Sequence, residues 1–78
     1  MDLHNLVVMA NRIGSFFEAQ PDRDEALAGI ADHVKKFWEP RMRAQILAAL
    51  DTPGDADLSE IVRAALVRHR VALQPAGA

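Results

Sequence analysis

The sequence predicts an all-α fold, a compact small domain of about four helices with short connections. Three observations carry this reading. Apolar residues recur every three or four positions rather than alternating. Ala and Leu are abundant, whereas aromatic residues make up only 5% of the chain. Capping residues, Pro and Gly divide the apolar stripes into helix-length pieces.

Asp2 is placed to cap the first helix, because its carboxylate can accept from the free amides of the first turn. Leu3, Leu6, Val7, Ala10, Ile13 and Phe17 then share one helical face. Gln20-Pro21 closes the segment, since the residue before Pro is pushed out of the α region. A second helix follows from about Asp22. Asp22, Asp24 and Glu25 sit at its positive end and Lys35 and Lys36 at its negative end. Its stripe is Leu27, Ile30, Ala31, Val34 and either Phe37 or Trp38.

Pro40 stops that helix and suits the first position of a third, short one, running to about Leu50 and burying Met42, Ile46, Leu47 and Leu50. Asp51-Thr52-Pro53-Gly54-Asp55 reads as a loop. Asp57 or Ser59 caps a fourth helix, and Asp57 with Glu60 has capping-box spacing. Leu58, Ile61, Val62, Ala65 and Leu66 form its apolar face, while Arg68, His69 and Arg70 suit its C-terminal dipole. Residues 1–73 are expected to form a single domain and 74–78 a flexible tail. Gly14 and Gly29 fall inside helices, where each costs about 1 kcal/mol against Ala. Close packing of a neighbouring helix explains them; a hinge or a partner contact is the alternative.

At 78 residues the chain is near the lower limit for independent stability. A single core of this size rarely supplies more than about 3–5 kcal/mol without a staple. The chain has no Cys, so neither a disulfide nor a thiolate-bound zinc supplies one. The remaining staple is a partner. A net charge of −2 and a pI near 5.8 argue against a general polyanion binder. The start, Met1-Asp2-Leu3-His4-Asn5, lacks a basic signal region, and no apolar stretch approaches the roughly 20 residues of a membrane span, so the cytoplasm is the expected location.

Candidate chemistry fails on spacing. His4, His33 and His69 fall on different helices without the i, i+4 spacing of a helical metal site, and read as surface or capping histidines. Ser15 and Ser59 lie in no nucleophile elbow, and the four glycines form no phosphate loop. Asp22 and Asp24 have a complete explanation as helix-start charges. The sequence therefore points to no catalytic, cofactor-binding or metal-binding residue.

Contact chemistry is concentrated instead at one corner, Phe37-Trp38-Glu39-Pro40-Arg41-Met42-Arg43. Aromatic, Met and Arg side chains are enriched where proteins dock on one another. From Lys35 to Arg43 four cations face only Glu39, which suits either solvation of a helix corner or an acidic protein patch, with Arg41 and Arg43 as bidentate donors. Only one of Phe37 and Trp38 can sit at the centre of a narrow stripe, so Trp38 is either core or interface. Met9 and Phe16 widen the apolar arc of the first helix, and Val8, Val67 and Val71 fall outside the core stripes. The expected partner interface is Phe37, Trp38, Pro40, Arg41, Arg43, Met9 and Phe16. The alternatives are a small nucleic-acid-binding protein, weakened by the acidic pI and the absence of a polar recognition helix, and a homodimeric regulator.

Met9-Ala10-Asn11-Arg12-Ile13-Gly14-Ser15-Phe16-Phe17 with Pro21, then Phe37 to Arg43, then Leu58-Ser59-Glu60-Ile61-Val62 with Ala65, together resemble the small delta subunit of NAD-dependent formate dehydrogenase. The resemblance runs from Leu6 to about Leu66. The chain departs from the family pattern at Arg12, where Gln is usual, and at Glu60, where Pro is frequent. The resemblance implies a non-catalytic accessory subunit of a soluble cytoplasmic complex, with no cofactor of its own. It implies a large alpha subunit carrying bis-molybdopterin guanine dinucleotide with Mo or W and iron–sulfur clusters. Beta and gamma partners would carry FMN, the NAD site and further clusters. Neither nucleic acid nor membrane is an implied partner.

Overall fold

Helix boundaries follow local capping chemistry. A computed structural model describes residues 2–52 and 57–75, and within them five helices. These are α1 (Leu3–Phe17), α2 (Arg23–Phe37), α3 (Pro40–Ala49), α4 (Glu60–Arg68) and the single-turn α5 (Arg70–Leu73). Asp2 caps α1 by accepting from the His4 amide at 3.2 Å, and Asp22 caps α2 by accepting from the amides of Asp24 and Glu25 at 3.0 and 3.3 Å. Pro40 opens α3 at its first turn, after Glu39 in an extended conformation.

The fourth helix departs from expectation at both ends. Ser59 occupies the cap position but makes no side-chain capping bond, and the Asp57–Glu60 capping box does not form. Glu60 is drawn instead to Arg23 across the α2–α4 contact. At the other end the helix breaks at His69, whose backbone leaves the helical region (φ −107°, ψ 22°), and α5 starts anew. Leu73, seven residues beyond Leu66, is fully buried on α5. Of the expected loop, residues 53–55 lie outside the described residues, as do 76–78 of the expected tail. Gln74 still donates its amide to the Arg70 and Val71 carbonyls.

The core is built from Leu6, Ile30, Val34, Ile46, Val62, Leu66 and Leu73, all fully buried. α2 is the central element, packed by α1, α4 and α5. A radius of gyration of 11.4 Å matches the roughly 11.5 Å expected for a folded chain of this length. Every residue of the α4 stripe, Leu58 through Leu66, is buried as its spacing predicts.

Both helix-interior glycines are close-packing sites, and their neighbours are side chains rather than backbone. A Cβ at Gly14 would stand 2.5 Å from Val62 Cγ2 and 3.1 Å from Ile61 Cγ2, so α4 seats directly on α1 there. A Cβ at Gly29 would collide with the ring of Phe17, 2.8 Å from Cδ1. Ion pairs among the described residues fasten other contacts: Arg23–Glu60 at 2.6 Å, Arg68–Asp24 at 2.6 Å and Arg70–Asp51 at 2.5 Å. Asn11 adds a polar latch, donating Nδ2–H to the Asp57 carbonyl and accepting the Ser59 amide at Oδ1, both at 2.9 Å.

Candidate docking surface

Adjacent positions in the aromatic corner have opposite fates. Trp38 stands four residues beyond Val34, so it continues the core stripe of α2, and its extended backbone (φ −97°, ψ 136°) carries the indole inwards. It is only 5% exposed and packs in the core. Phe37, four residues beyond His33, lies on the flank and is 70% exposed. The structure therefore puts Trp38 beneath the corner and Phe37 on it. Pro40 and Arg41 are exposed, and Arg43 is half-buried with its Nε meeting no acceptor among the described residues.

On α1, Phe16 is 76% exposed and Met9 37%. Phe16 stands edge-on to Phe17, with ring centroids 5.1 Å apart and planes at 87°, and Phe17 is wedged over Gly29. Between these elements lies an open groove of about 460 Å³ lined by Arg12, Ile13, Phe16, Phe17 and His33. His33 continues it to the corner, its ring 4.7 Å from that of Phe37.

The groove joins two features that are separate in the sequence. Phe17 meets Gly29 and Ile13 meets His33, so α1 and α2 run antiparallel. One turn further, the same register brings Met9 level with Phe37. Phe16 and, through His33, Phe37 thus border one groove at the α1–α2 seam, with Met9 exposed two turns before Phe16 on α1. Arg12 and His33 were missed as parts of it. The signal was present in their i, i+4 spacing to Phe16 and Phe37, but it becomes meaningful only once the two helices are paired.

A second exposed apolar pair, Val67 and Val71, lies on α4 and α5, with Val71 84% exposed. Val8 is half-buried rather than turned fully outwards. Among the described residues no three His, Asp or Glu side chains gather into a metal-binding group, and the chain has no Cys to ligate a cluster. No helix is long and apolar enough to cross a membrane among those residues.

The family model of the NADH-dependent formate dehydrogenase delta subunit, FdsD, matches residues 5–66. The chain belongs to that family. The FdsD match takes in α1 from its third residue, all of α2 and α3 and all but the last two residues of α4, and hence the whole groove and corner. No curated protein and no solved structure matches the chain. Membership in FdsD makes this a delta subunit of a formate dehydrogenase complex, and it agrees with the resemblance carried by the Phe37–Arg43 run.

Proposed function

We propose that the chain is a non-catalytic accessory subunit that docks on the large molybdenum- or tungsten-containing subunit and stabilises the assembled or cofactor-loaded state. The observation that carries this is the exposure of Phe16 at a groove lined by Arg12 and His33 and of Phe37 beside that same His33, with Met9 also exposed on the helix of Phe16, in a chain this small. Monomeric proteins seldom leave large aromatics together on one face, and aromatic–arginine clusters are typical of interface hot spots. The interface comprises Phe37, Pro40, Arg41, Arg43, Met9 and Phe16. Trp38 belongs to it as the support that holds Phe37 out from below.

A ligand that binds only the assembled state stabilises it by mass action, and a small subunit acts in the same way. The partner cofactors, bis-molybdopterin guanine dinucleotide with Mo or W, iron–sulfur clusters, FMN and NAD, would carry hydride and electron chemistry. This chain, without a thiolate, supplies surface rather than a redox step. Its role lies in the cytoplasm, where it needs neither nucleic acid nor membrane, and its functional domain spans residues 1–73 with 74–78 as a tail.

The test is recovery of partners with the tagged chain. Wild-type protein is expected to bring down an iron-rich, Mo- or W-containing subunit with formate-dependent NAD reduction. Phe37→Ala combined with Arg41→Ala is expected to abolish that recovery while the chain stays helical. Recovery of the tagged chain alone, metal-free, would remove the subunit reading; retention on DNA at low salt or a stable homodimer would replace it.

A further inference from the structure

The cations of this chain fall into two groups. Arg23, Lys36, Arg68 and Arg70 each hold a carboxylate, and Arg63 also has a partner. Arg12, Lys35, Arg41 and Arg43 make no ion pair or side-chain hydrogen bond among the described residues. Lys35 lies apart, in the depression between α2 and α5. The other three belong to the groove and the corner: Arg12 lines the groove, and Arg41 and Arg43 follow Phe37 on the first turn of α3. No carboxylate lines the groove, and Glu39 is the single acid between Phe37 and Arg43.

The chain carries 11 acids against nine cations, so an acid within reach would be easy to supply. Its carboxylates nevertheless pair with the guanidiniums on α2, α4 and α5 and leave those at the groove open. An unpaired Arg12 lining an apolar groove, with unpaired Arg41 and Arg43 following Phe37 on α3, is what a carboxylate-bearing ligand recognises.

We infer that the Phe16–Phe37 groove takes an acidic segment of the partner subunit. An apolar anchor residue seats between Phe16 and Phe37 over His33, and flanking Asp or Glu side chains reach Arg12 and Arg41. This rests on the subunit reading above and names the chemistry of the surface it meets. At about 460 Å³ the groove is near the small end of ligand sites, which run from roughly 300 to 1,000 Å³, so it suits anchor side chains rather than a dinucleotide cofactor. Guanidinium groups give paired, directional bonds to carboxylates, which set the register of such a segment. A second copy of this chain fits poorly. Two-fold pairing through the same face would set Arg12 and Arg41 against their own counterparts, and like charges across an interface repel.

The experiment uses the assembled complex, with a benzophenone amino acid placed in this subunit at position 37, 16 or 71. Positions 37 and 16 are expected to cross-link to one Asp/Glu-rich segment of the large subunit, and position 71 is not. Arg12→Glu with Arg41→Glu is expected to lower recovery of the large subunit roughly tenfold or more. Lysines substituted for the carboxylates of the mapped segment then restore it, a rescue that mere misfolding would not allow. Cross-links into a neutral or basic segment, into a second copy of this chain, or from position 71 alone would overturn the groove assignment while leaving the subunit reading intact. Failure of the wild-type chain to recover the large subunit would instead overturn the subunit reading itself.

Discussion

On the side of α2 that meets α4 and α5, arginines and carboxylates close on one another, and the aliphatic stripe from Leu58 to Leu66 is wholly buried. On the side that meets α1, with α3 at its end, the arginines are open and Phe16 and Phe37 stand in solvent. The two sides have similar kinds of residue and differ in whether the chain itself supplies the complement. Charge pairing on one side shows that the sequence readily provides acids opposite cations. No carboxylate lines the groove among the described residues, and the adjacent Phe37 and Trp38 lie on opposite sides of the surface, one exposed and one buried.

The sharpest way to break that comparison is to exchange the two roles. Trp38→Ala removes a buried indole and is expected to cost about 3–5 kcal/mol, comparable to the whole stability of so small a core. Circular dichroism of the isolated chain should then show loss of helix. Phe37→Ala should change stability by no more than about 0.5 kcal/mol yet lose the partner. Equal destabilisation by both would mean that the corner has no outer face.

Next in size is Gly14→Ala. The new methyl meets Val62, which is fully buried and cannot yield, so overpacking of about 1–3 kcal/mol exceeds the roughly 1 kcal/mol gain in helix propensity. A lowered denaturation midpoint is expected; a raised one would show that the α1–α4 seat is looser than the structure has it.

The smallest effect concerns Asp51. Its hydrogen bonds to Arg70, foremost, hold the carboxyl below its ordinary value of 3.8, with slight burial acting the other way and the guanidinium charge adding to the lowering. A depressed carboxylate pKa contributes stability that is complete above 3.8 and is lost as pH falls through the folded-state value. Asp51→Asn should therefore be slightly less stable than wild type at neutral pH, the gap narrowing only below 3.8. Because the pair is exposed, the gap should also shrink with added salt. A gap that persisted in acid would assign the effect to packing.

What the sequence discloses here is chiefly local. Asp2, Asp22 and Pro40 act within one helical turn of where they stand, and each does what its chemistry dictates. The stripes of α2 and α4 are equally legible, because periodicity alone decides which residues turn inwards. Phe37 and Trp38 were not separable, since both lie within reach of the same stripe until Pro40 fixes the backbone before it. The break at His69 carries no Gly or Pro signal in the sequence. Glu60 has capping-box spacing to Asp57, but the helix begins at Glu60 itself after Ser59. The box therefore has no place to form, and the carboxylate pairs with Arg23. For the surface, the exposed residues were legible singly, whereas the groove exists only in the pairing of α1 with α2.

The Asn11 latch has a consequence for the order of events in time. Its two bonds reach 46 and 48 positions along the chain, so they close only after the intervening segment has folded and α4 has arrived. The α1–α2 hairpin, by contrast, needs only its five-residue turn to form. An interaction made late is absent from the folding transition state, so losing it accelerates unfolding and leaves the folding rate nearly unchanged. Asn11→Ala is therefore expected to raise the unfolding rate of the isolated chain while leaving its folding rate nearly unchanged, as stopped-flow measurement would read.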